Sequence, residues 1–207
     1  MKQVRGWWLP DEDTHFEQYF NVQGNSDYQL QQRQKALSYV DKFEFALDIG
    51  GHVGLWARPL TEKFNRVVSI EPHLPFIELL KLNAPRAEII KVALGETDGS
   101  GEIRIPEDNT GAAYLQEGAG TKIVALDSLG FTNIDFIKID CEGYEFPIVK
   151  GASETLRRCR PVVIVEQKLH KSHTNPWSKT AAVEYMINVL DYRVVGRVIQ
   201  DWILKKI

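Results

Sequence analysis

The stretch FALDIGGHVGLWARPL, residues 45–60, decides the fold. Its first five residues are apolar apart from Asp48, which is typical of a buried strand, and a helical pattern ends the stretch. Between the two lie Gly50, Gly51 and Gly54. Glycines at this place let the chain turn sharply and let a ligand approach the backbone closely. Taken alone, the segment is compatible with a simple tight turn and with a nucleotide pocket.

Predicted strands and helices alternate along the rest of the chain. Core strands are predicted at residues 43–49, 66–70, 88–94, 134–139 and 161–165, with shorter strands at 101–105 and 121–126. Helices are predicted at residues 28–40, 55–64, 76–83, 146–158 and 177–190. This alternation is typical of βαβ units in a parallel α/β sheet. The chain closes with strands at 192–199 and 201–206, and because only a turn joins them, one of the two must run antiparallel.

Composition limits the classes of protein to consider. The 207 residues are 43% hydrophobic and 26% charged, which favours one packed domain with a small extension. A formal net charge of −3 provides no basic surface for long nucleic acid or an anionic membrane. The sequence contains no secretory signal, no apolar run of membrane-spanning length and no zinc or disulfide pattern of cysteines. We therefore expect a cytoplasmic protein without a membrane partner.

The acidic residues around the glycines indicate which nucleoside-containing cofactor would bind. Glu71 ends the second strand about 20 residues after the glycines, where a carboxylate can accept both ribose hydroxyls. Asp48, two residues before Gly50, would repel the pyrophosphate of a dinucleotide. The same charge suits S-adenosylmethionine, which carries a sulfonium and an ammonium group and no phosphate. An NAD-dependent dehydrogenase is therefore the less favoured enzyme.

Six motifs in order carry a resemblance to a known family. They are ALDIGGHVGLW (46–56), VVSIEP (67–72), VALGE (92–96), VALDSL (124–129), IDFIKIDCEGYEFPIVKGASETL (134–156) and RPVVIVE (160–166). In this respect the chain resembles FkbM-type S-adenosylmethionine-dependent methyltransferases over residues 43–166. The first motif is generic to class I methyltransferases, whereas KIDCEGYE together with LDSL is far more specific to this family.

The resemblance implies a Rossmann-like fold and a methyl-transfer activity. The implied fold is a mostly parallel seven-stranded sheet with a C-terminal antiparallel hairpin and helices on both faces. We expect the methyltransferase domain to span residues 43–207, with residues 1–42 as an arm and helix packing on or over the cofactor site. Residues 1–26 are predicted to be irregular and packed by their aromatic side chains. The aromatic-rich part, residues 7–20, could equally pack on the edge of the sheet. The reaction would be O-methylation of a hydroxyl on a sugar, glycan or small metabolite. The cofactor-binding positions would be Asp48, Gly50, Gly51, Gly54, Glu71, Pro72, Val92, Ala93, Leu94 and Asp140.

Two departures from the family pattern bear on the pocket edge. His52 stands where the family more often has Asn, and Pro59 is unusual within the following helix. The segment 109–111, Asn-Thr-Gly, resembles one that faces the pocket in this family, and its alternative is an ordinary turn.

Candidate bases for an acceptor hydroxyl follow two core strands. Asp140 and Glu142 come after the fourth strand, and His170 and His173 lie in the loop after the fifth. All four belong to the rim of the sheet on which a ligand is expected. Asp140 has an alternative role, since it could fix its loop by accepting backbone N–H groups. We expect no metal, because the two acids have no clear third ligand within sequence reach.

Two alternative hypotheses assign the chain to other classes of protein. A non-catalytic module that binds S-adenosylmethionine or a nucleoside would keep the sheet and lose the acceptor site. A nucleic-acid methyltransferase is disfavoured by the net acidity of the chain. The sequence predicts neither the identity of the acceptor nor the oligomeric state.

Overall fold

A computed structural model describes residues 1–22, 27–107, 109–167 and 176–206 of the chain. The helices are α1 (His15–Asn21), α2 (Leu30–Leu37), α3 (Ala57–Thr61), α4 (Leu74–Asn83), α5 (Glu145–Lys150), α6 (Ser153–Cys159) and α7 (Ala181–Leu190). The strands are β1 (Lys2–Val4), β2 (Trp7–Leu9), β3 (Phe45–Ile49), β4 (Arg66–Ile70), β5 (Glu88–Ile90), β6 (Ala93–Leu94), β7 (Gly99–Arg104), β8 (Tyr114–Glu117), β9 (Thr121–Val124), β10 (Phe136–Ile139), β11 (Val162–Glu166), β12 (Tyr192–Val198) and β13 (Asp201–Lys206). Among the helices of the described ranges, none is long and apolar enough to cross a membrane.

The central sheet has seven strands in the order β12-β13-β11-β10-β3-β4-β5. The strands from β11 to β5 run parallel, while β13 pairs antiparallel with β11 and with β12. All residues of β3 and β11 are buried, as expected for parallel strands that are covered on both faces. The predicted Rossmann-like sheet and its C-terminal antiparallel hairpin are confirmed.

The predicted strand at residues 88–94 is in fact two strands that belong to different sheets. β5 closes the edge of the central sheet, and β6 pairs with β9 in a four-stranded sheet of order β6-β9-β7-β8. The N–H of Val92 donates to the carbonyl oxygen of Ile90 at 3.1 Å, a tight turn that ends the pairing with β4. The small sheet therefore begins directly after β5, the edge strand of the central sheet.

The predicted helix at residues 146–158 is also divided, into α5 and α6. Gly151 lies between them, and a methyl group there would come 2.0 Å from the carbonyl oxygen of Gly95. The N–H of Asp127 donates to the Gly151 carbonyl oxygen at 2.9 Å. Both contacts require the helical segment to approach the small sheet closely, which a continuous helix with a larger residue would prevent.

The first 26 residues were predicted to be irregular, but the described part of this segment is ordered. β1 and β2 form an antiparallel hairpin, and α1 follows. The apolar side chains of the hairpin and α1 pack against Val53, Leu55, Phe76 and Leu79. The side-chain amide of Asn83 accepts the N–H of Trp8 and donates to the Trp8 carbonyl oxygen, each at 2.8 Å. The aromatic residues pack this segment as predicted, but on regular structure.

Candidate active site

A cavity opens at the carboxyl ends of β3, β4 and β10, where open α/β sheets bind their ligands. Among the predicted cofactor and catalytic residues, those that line it are Gly50, Gly51, Glu71, Pro72, Val92, Ala93, Leu94, Asp140 and Glu142. Asp48 and Gly54 lie outside this lining. The predicted candidates His170 and His173 lie outside the described residues.

The glycine turn forms the floor of the cavity. Gly50 has a φ angle of +82°, and a methyl group there would lie 2.0 Å from the carbonyl oxygen of Asp140. A methyl group on Gly51 would lie 2.0 Å from the hydroxyl oxygen of Ser69. The N–H groups of Gly50 and Gly51 both donate to the carbonyl oxygen of Ile70, at 3.1 and 3.2 Å. The turn thus lies against β4 and β10 so closely that side chains are excluded at both positions.

Glu71 connects the ends of β3 and β4 at the cavity wall. Its two carboxylate oxygens accept the backbone N–H groups of His52 and His73, each at 2.8 Å. Burial raises the pKa of Glu71 to about 7, although the two N–H donors oppose this effect. Because a carboxylate has about four lone-pair sites, it can still accept hydrogen bonds from a ligand. The carboxylate predicted to hold a ribose is therefore positioned by the backbone of the glycine turn.

A polar row crosses the core beneath the glycine turn. Ser69, Asp48 and Lys138 are register partners on β4, β3 and β10. The Ser69 hydroxyl donates to Asp48 at 3.2 Å, and the other Asp48 oxygen lies 3.7 Å from the Lys138 Nζ. Burial raises the pKa of Asp48, and Lys138 partly offsets this effect. Asp48 thus supports the turn from below, and the structure shows it in contact with Lys138 instead of the cavity.

Lys138 was missed by the sequence reasoning, yet it faces the cavity. Its Nζ donates to the Gly50 carbonyl oxygen at 3.3 Å and lies 3.5 Å from Asp140 and 5.9 Å from the centre of the Trp56 ring. Burial alone would lower the Lys138 pKa, but the nearby carboxylates outweigh it and raise the pKa above its ordinary value. A lysine in the middle of an apolar strand, FIKI, was the signal available in the sequence.

Three carboxylates meet at the rim after β10 and β11. One oxygen each of Asp140, Glu142 and Glu166 lies within 4.8 Å of the others. Glu166 supplies the third acid that the sequence reasoning did not find, because the parallel pairing of β10 and β11 brings their carboxyl ends together. Tyr28 lies across the same cavity, and burial together with Asp140 and Glu166 raises its pKa well above the ordinary value.

Glu145 fixes the loop that presents these acids. Its carboxylate accepts the N–H groups of Cys141 and Gly143 at 2.9 and 3.0 Å. Burial raises the pKa of Glu145 to about 7. Glu142 has a φ angle of +50°, an unusual value for a residue with a side chain, and the two hydrogen bonds hold the loop in that conformation.

The fold and the glycine turn define an α/β methyltransferase-like protein, and the comparisons identify the family. The chain belongs to the family described as the methyltransferase FkbM domain, whose model matches residues 48–194. It is therefore a methyltransferase-family protein. No protein with a curated description is a significant match.

Solved structures share the fold. Methyltransferase FkbM from Methylobacillus flagellatus KT matches with a TM-score of 0.54 and 22% identity over 78% of this chain. This chain spans 43% of that protein's length. An rRNA methylase from Streptococcus thermophilus matches with a TM-score of 0.52 and 12% identity, over 86% of this chain and 95% of its own. A precorrin-6y C5,15-methyltransferase from Geobacter metallireducens GS-15 matches with a TM-score of 0.51 and 12% identity, over 84% and 86%.

Proposed function

We propose that the protein transfers a methyl group from S-adenosylmethionine to a hydroxyl oxygen of a sugar, glycan or small metabolite. The observation that carries the proposal is the pairing of a side-chain-free floor, Gly50 and Gly51, with a cavity-facing carboxylate, Glu71. This arrangement suits a nucleoside whose ribose is held by hydrogen bonds. The membership in the FkbM family supports methyl transfer as the reaction.

The residues of the cavity fit this cofactor. Val92, Ala93 and Leu94 supply an apolar wall suited to an adenine ring, and Glu71 supplies the acceptor for ribose hydroxyls. Asp140 supplies a negative charge on the side of β10, where a cationic amino acid portion would be favoured. When bound, the cofactor supplies an electrophilic methyl group. The chain itself has to orient the acceptor and remove its proton.

Asp140 and Glu142 are our candidates for the proton acceptor, and His170 remains a third candidate outside the described residues. Positioning accounts for much of the rate in such displacements, and a base adds to it. Lys138 holds Asp140 from one side at 3.5 Å, which fixes the direction of its carboxylate. We also propose that residues 43–207 form the methyltransferase domain and residues 1–42 its covering segment.

Binding and turnover test the proposal separately. Calorimetry should show binding of S-adenosylmethionine and S-adenosylhomocysteine and none of NAD. Transfer of a labelled methyl group to a panel of glycosides and other alcohols then identifies an acceptor. Asp140→Asn should reduce turnover at saturating cofactor about 10²–10⁴-fold, a larger effect than its loss of cofactor affinity. The exposed Glu62→Gln is the matched control. Binding of NAD alone would overturn the proposal.

A further inference from the structure

A buried carboxylate outside the predicted site connects the N-terminal segment to the cavity. Asp13 is completely buried and lies just before α1. One of its oxygens accepts the N–H of Phe16 at 2.8 Å, and the other accepts the N–H of Thr110 at 3.2 Å. The hydroxyl of Thr110 also donates to the second oxygen. Asp13 therefore accepts three hydrogen bonds, two from backbone N–H groups and one from the Thr110 hydroxyl.

The hydroxyl of Thr110 determines the proton position on a neighbouring ring. Its oxygen lies 3.0 Å from Nε2 of His52. A hydroxyl has one proton, and here the carboxylate of Asp13 takes that hydrogen bond. The remaining interaction with His52 therefore has to be donated by the ring, which places the proton on Nε2. In a neutral imidazole the Nδ1 atom is then an acceptor.

The surroundings of His52 keep the ring neutral and fixed. Burial lowers its pKa to about 4, although Asp13 opposes this effect. The ring packs edge-on against Phe76, with centres 4.4 Å apart, and is tilted over Phe16 at 5.5 Å. The backbone N–H of His52 is held by Glu71 at 2.8 Å. The ring thus lines the cavity directly beside the carboxylate to which we assign the ribose.

We propose that Asp13 is a positioning residue that, through Thr110, fixes His52 in the Nε2–H form and leaves Nδ1 as a hydrogen-bond acceptor for the nucleoside. The ligand group that it takes is a neutral donor, a hydroxyl or an amino N–H. The contact between Nδ1 of His52 and the nucleoside rests on the proposed function, while the proton position on His52 does not. Through Asp13, the N-terminal segment then contributes to cofactor recognition indirectly, because Asp13 acts on Thr110 and His52 and does not itself contact the cofactor.

Nitrogen-15 NMR of the histidine side chains at pH 7 tests the first half, with His52→Asn used to assign the signals. We expect the wild type to show a protonated Nε2 and an unprotonated Nδ1. Thr110→Val and Asp13→Asn should each shift the ring towards a mixture of the two tautomers, and Thr110→Ser should keep the wild-type form. A wild-type ring protonated on Nδ1, or a tautomer unchanged in Thr110→Val, would overturn the inference.

Calorimetry with S-adenosylmethionine tests the second half on the same proteins. Thr110→Val should raise the Kd about fivefold, the scale of one hydrogen bond, and Thr110→Ser should restore it. Because Asp13 also holds the first turn of α1, the Thr110 pair is the decisive comparison. A shifted tautomer with an unchanged Kd would refute the cofactor contact. A wild type that does not bind S-adenosylmethionine would contradict the proposed function and leave the NMR result standing.

Discussion

The ammonium group of Lys138 lies 3.3 Å from the carbonyl oxygen of Gly50, on the strand next to the glycine turn. It also faces Asp48 at 3.7 Å and Asp140 at 3.5 Å. One buried cation therefore holds the turn that forms the cavity floor and the acid at the cavity rim. A substitution at Lys138 therefore changes the electrostatic environment of both Asp48 and Asp140.

Lys138→Met should destabilise the protein by about 3–5 kcal/mol, because it leaves Asp48 buried without its counter-charge. Adding Asp48→Asn should recover part of this loss, since the uncompensated charge is then removed. Urea unfolding of the wild type, both single variants and the double variant measures the coupling. If the double variant lost the sum of the unfolding free energies lost by the two single variants, Lys138 and Asp48 would not interact.

Gly50→Ala should destabilise the protein by at least about 2 kcal/mol, because the residue has a positive φ angle and no space for a methyl group. Gly99→Ala is the matched control, since Gly99 has no neighbouring heavy atom within 4 Å of the added group and no positive φ angle. We expect the control to change stability by less than about 1 kcal/mol. Equal effects in thermal unfolding would contradict the close packing of the turn.

Glu71→Gln should weaken binding of S-adenosylmethionine by about 1.5–3 kcal/mol, the scale of a hydrogen bond to a charged group. In the wild type the affinity should rise as the pH passes through about 7, because Glu71 becomes ionised there. Calorimetry between pH 6 and pH 8, roughly one unit either side of that pKa, measures both effects. A variant that keeps the pH dependence would place the titrating group elsewhere.

The low pKa of His52 predicts that the free energy of unfolding of the wild type depends on pH in a way that His52→Asn does not share. Its pKa is about 4 in the folded chain and 6.5 in its ordinary state, so between these values only the unfolded chain takes up the proton. Stability should therefore fall with acidification over this window, by up to about 3 kcal/mol. His52→Asn should lack this contribution, while Glu71 and Glu145 titrate in both proteins. Parallel stability curves from urea unfolding would refute the prediction.

We expect methyl transfer without a metal, even though Glu166 adds a third carboxylate to Asp140 and Glu142. The reason is that Lys138 already places a positive charge 3.5 Å from Asp140. Turnover should be the same with and without a chelator. Loss of activity on chelation and its return with added Mg²⁺ would show instead that these carboxylates bind the ion.

The order of strands and helices could be predicted because it depends on local periodicity. The alternation of residues 43–83 predicts β3, β4 and α4 within two residues of their observed bounds, whereas α3 is only half as long as the predicted helix at 55–64, and Pro59 lies in its first turn. The pattern at 88–94 could not show the change of sheet, since the partners of β5 and β6 lie elsewhere in the sequence.

The site could be predicted where it follows a motif and not where distant segments meet. Gly50, Gly51 and Glu71 were recognisable because their neighbours in the sequence determine their place. Asp13 and Thr110 are 97 residues apart and are brought together only by packing of α1 against the cavity. The cofactor-binding role of Asp48 stays a prediction, whereas its place beneath the turn depends on the register with Lys138 and could not be predicted from the motif.

The close approach at Gly151 has a consequence for how the cavity can open. Gly151 lies against Gly95, and its carbonyl oxygen accepts the N–H of Asp127, so main-chain contacts join the segment between α5 and α6 to the ends of β6 and β9. Swinging the small sheet outward would break these main-chain contacts. The N-terminal segment is held at the cavity mouth by side chains instead, and such contacts exchange partners without unfolding a sheet. We therefore expect a ligand to enter by displacement of this segment and not of the small sheet.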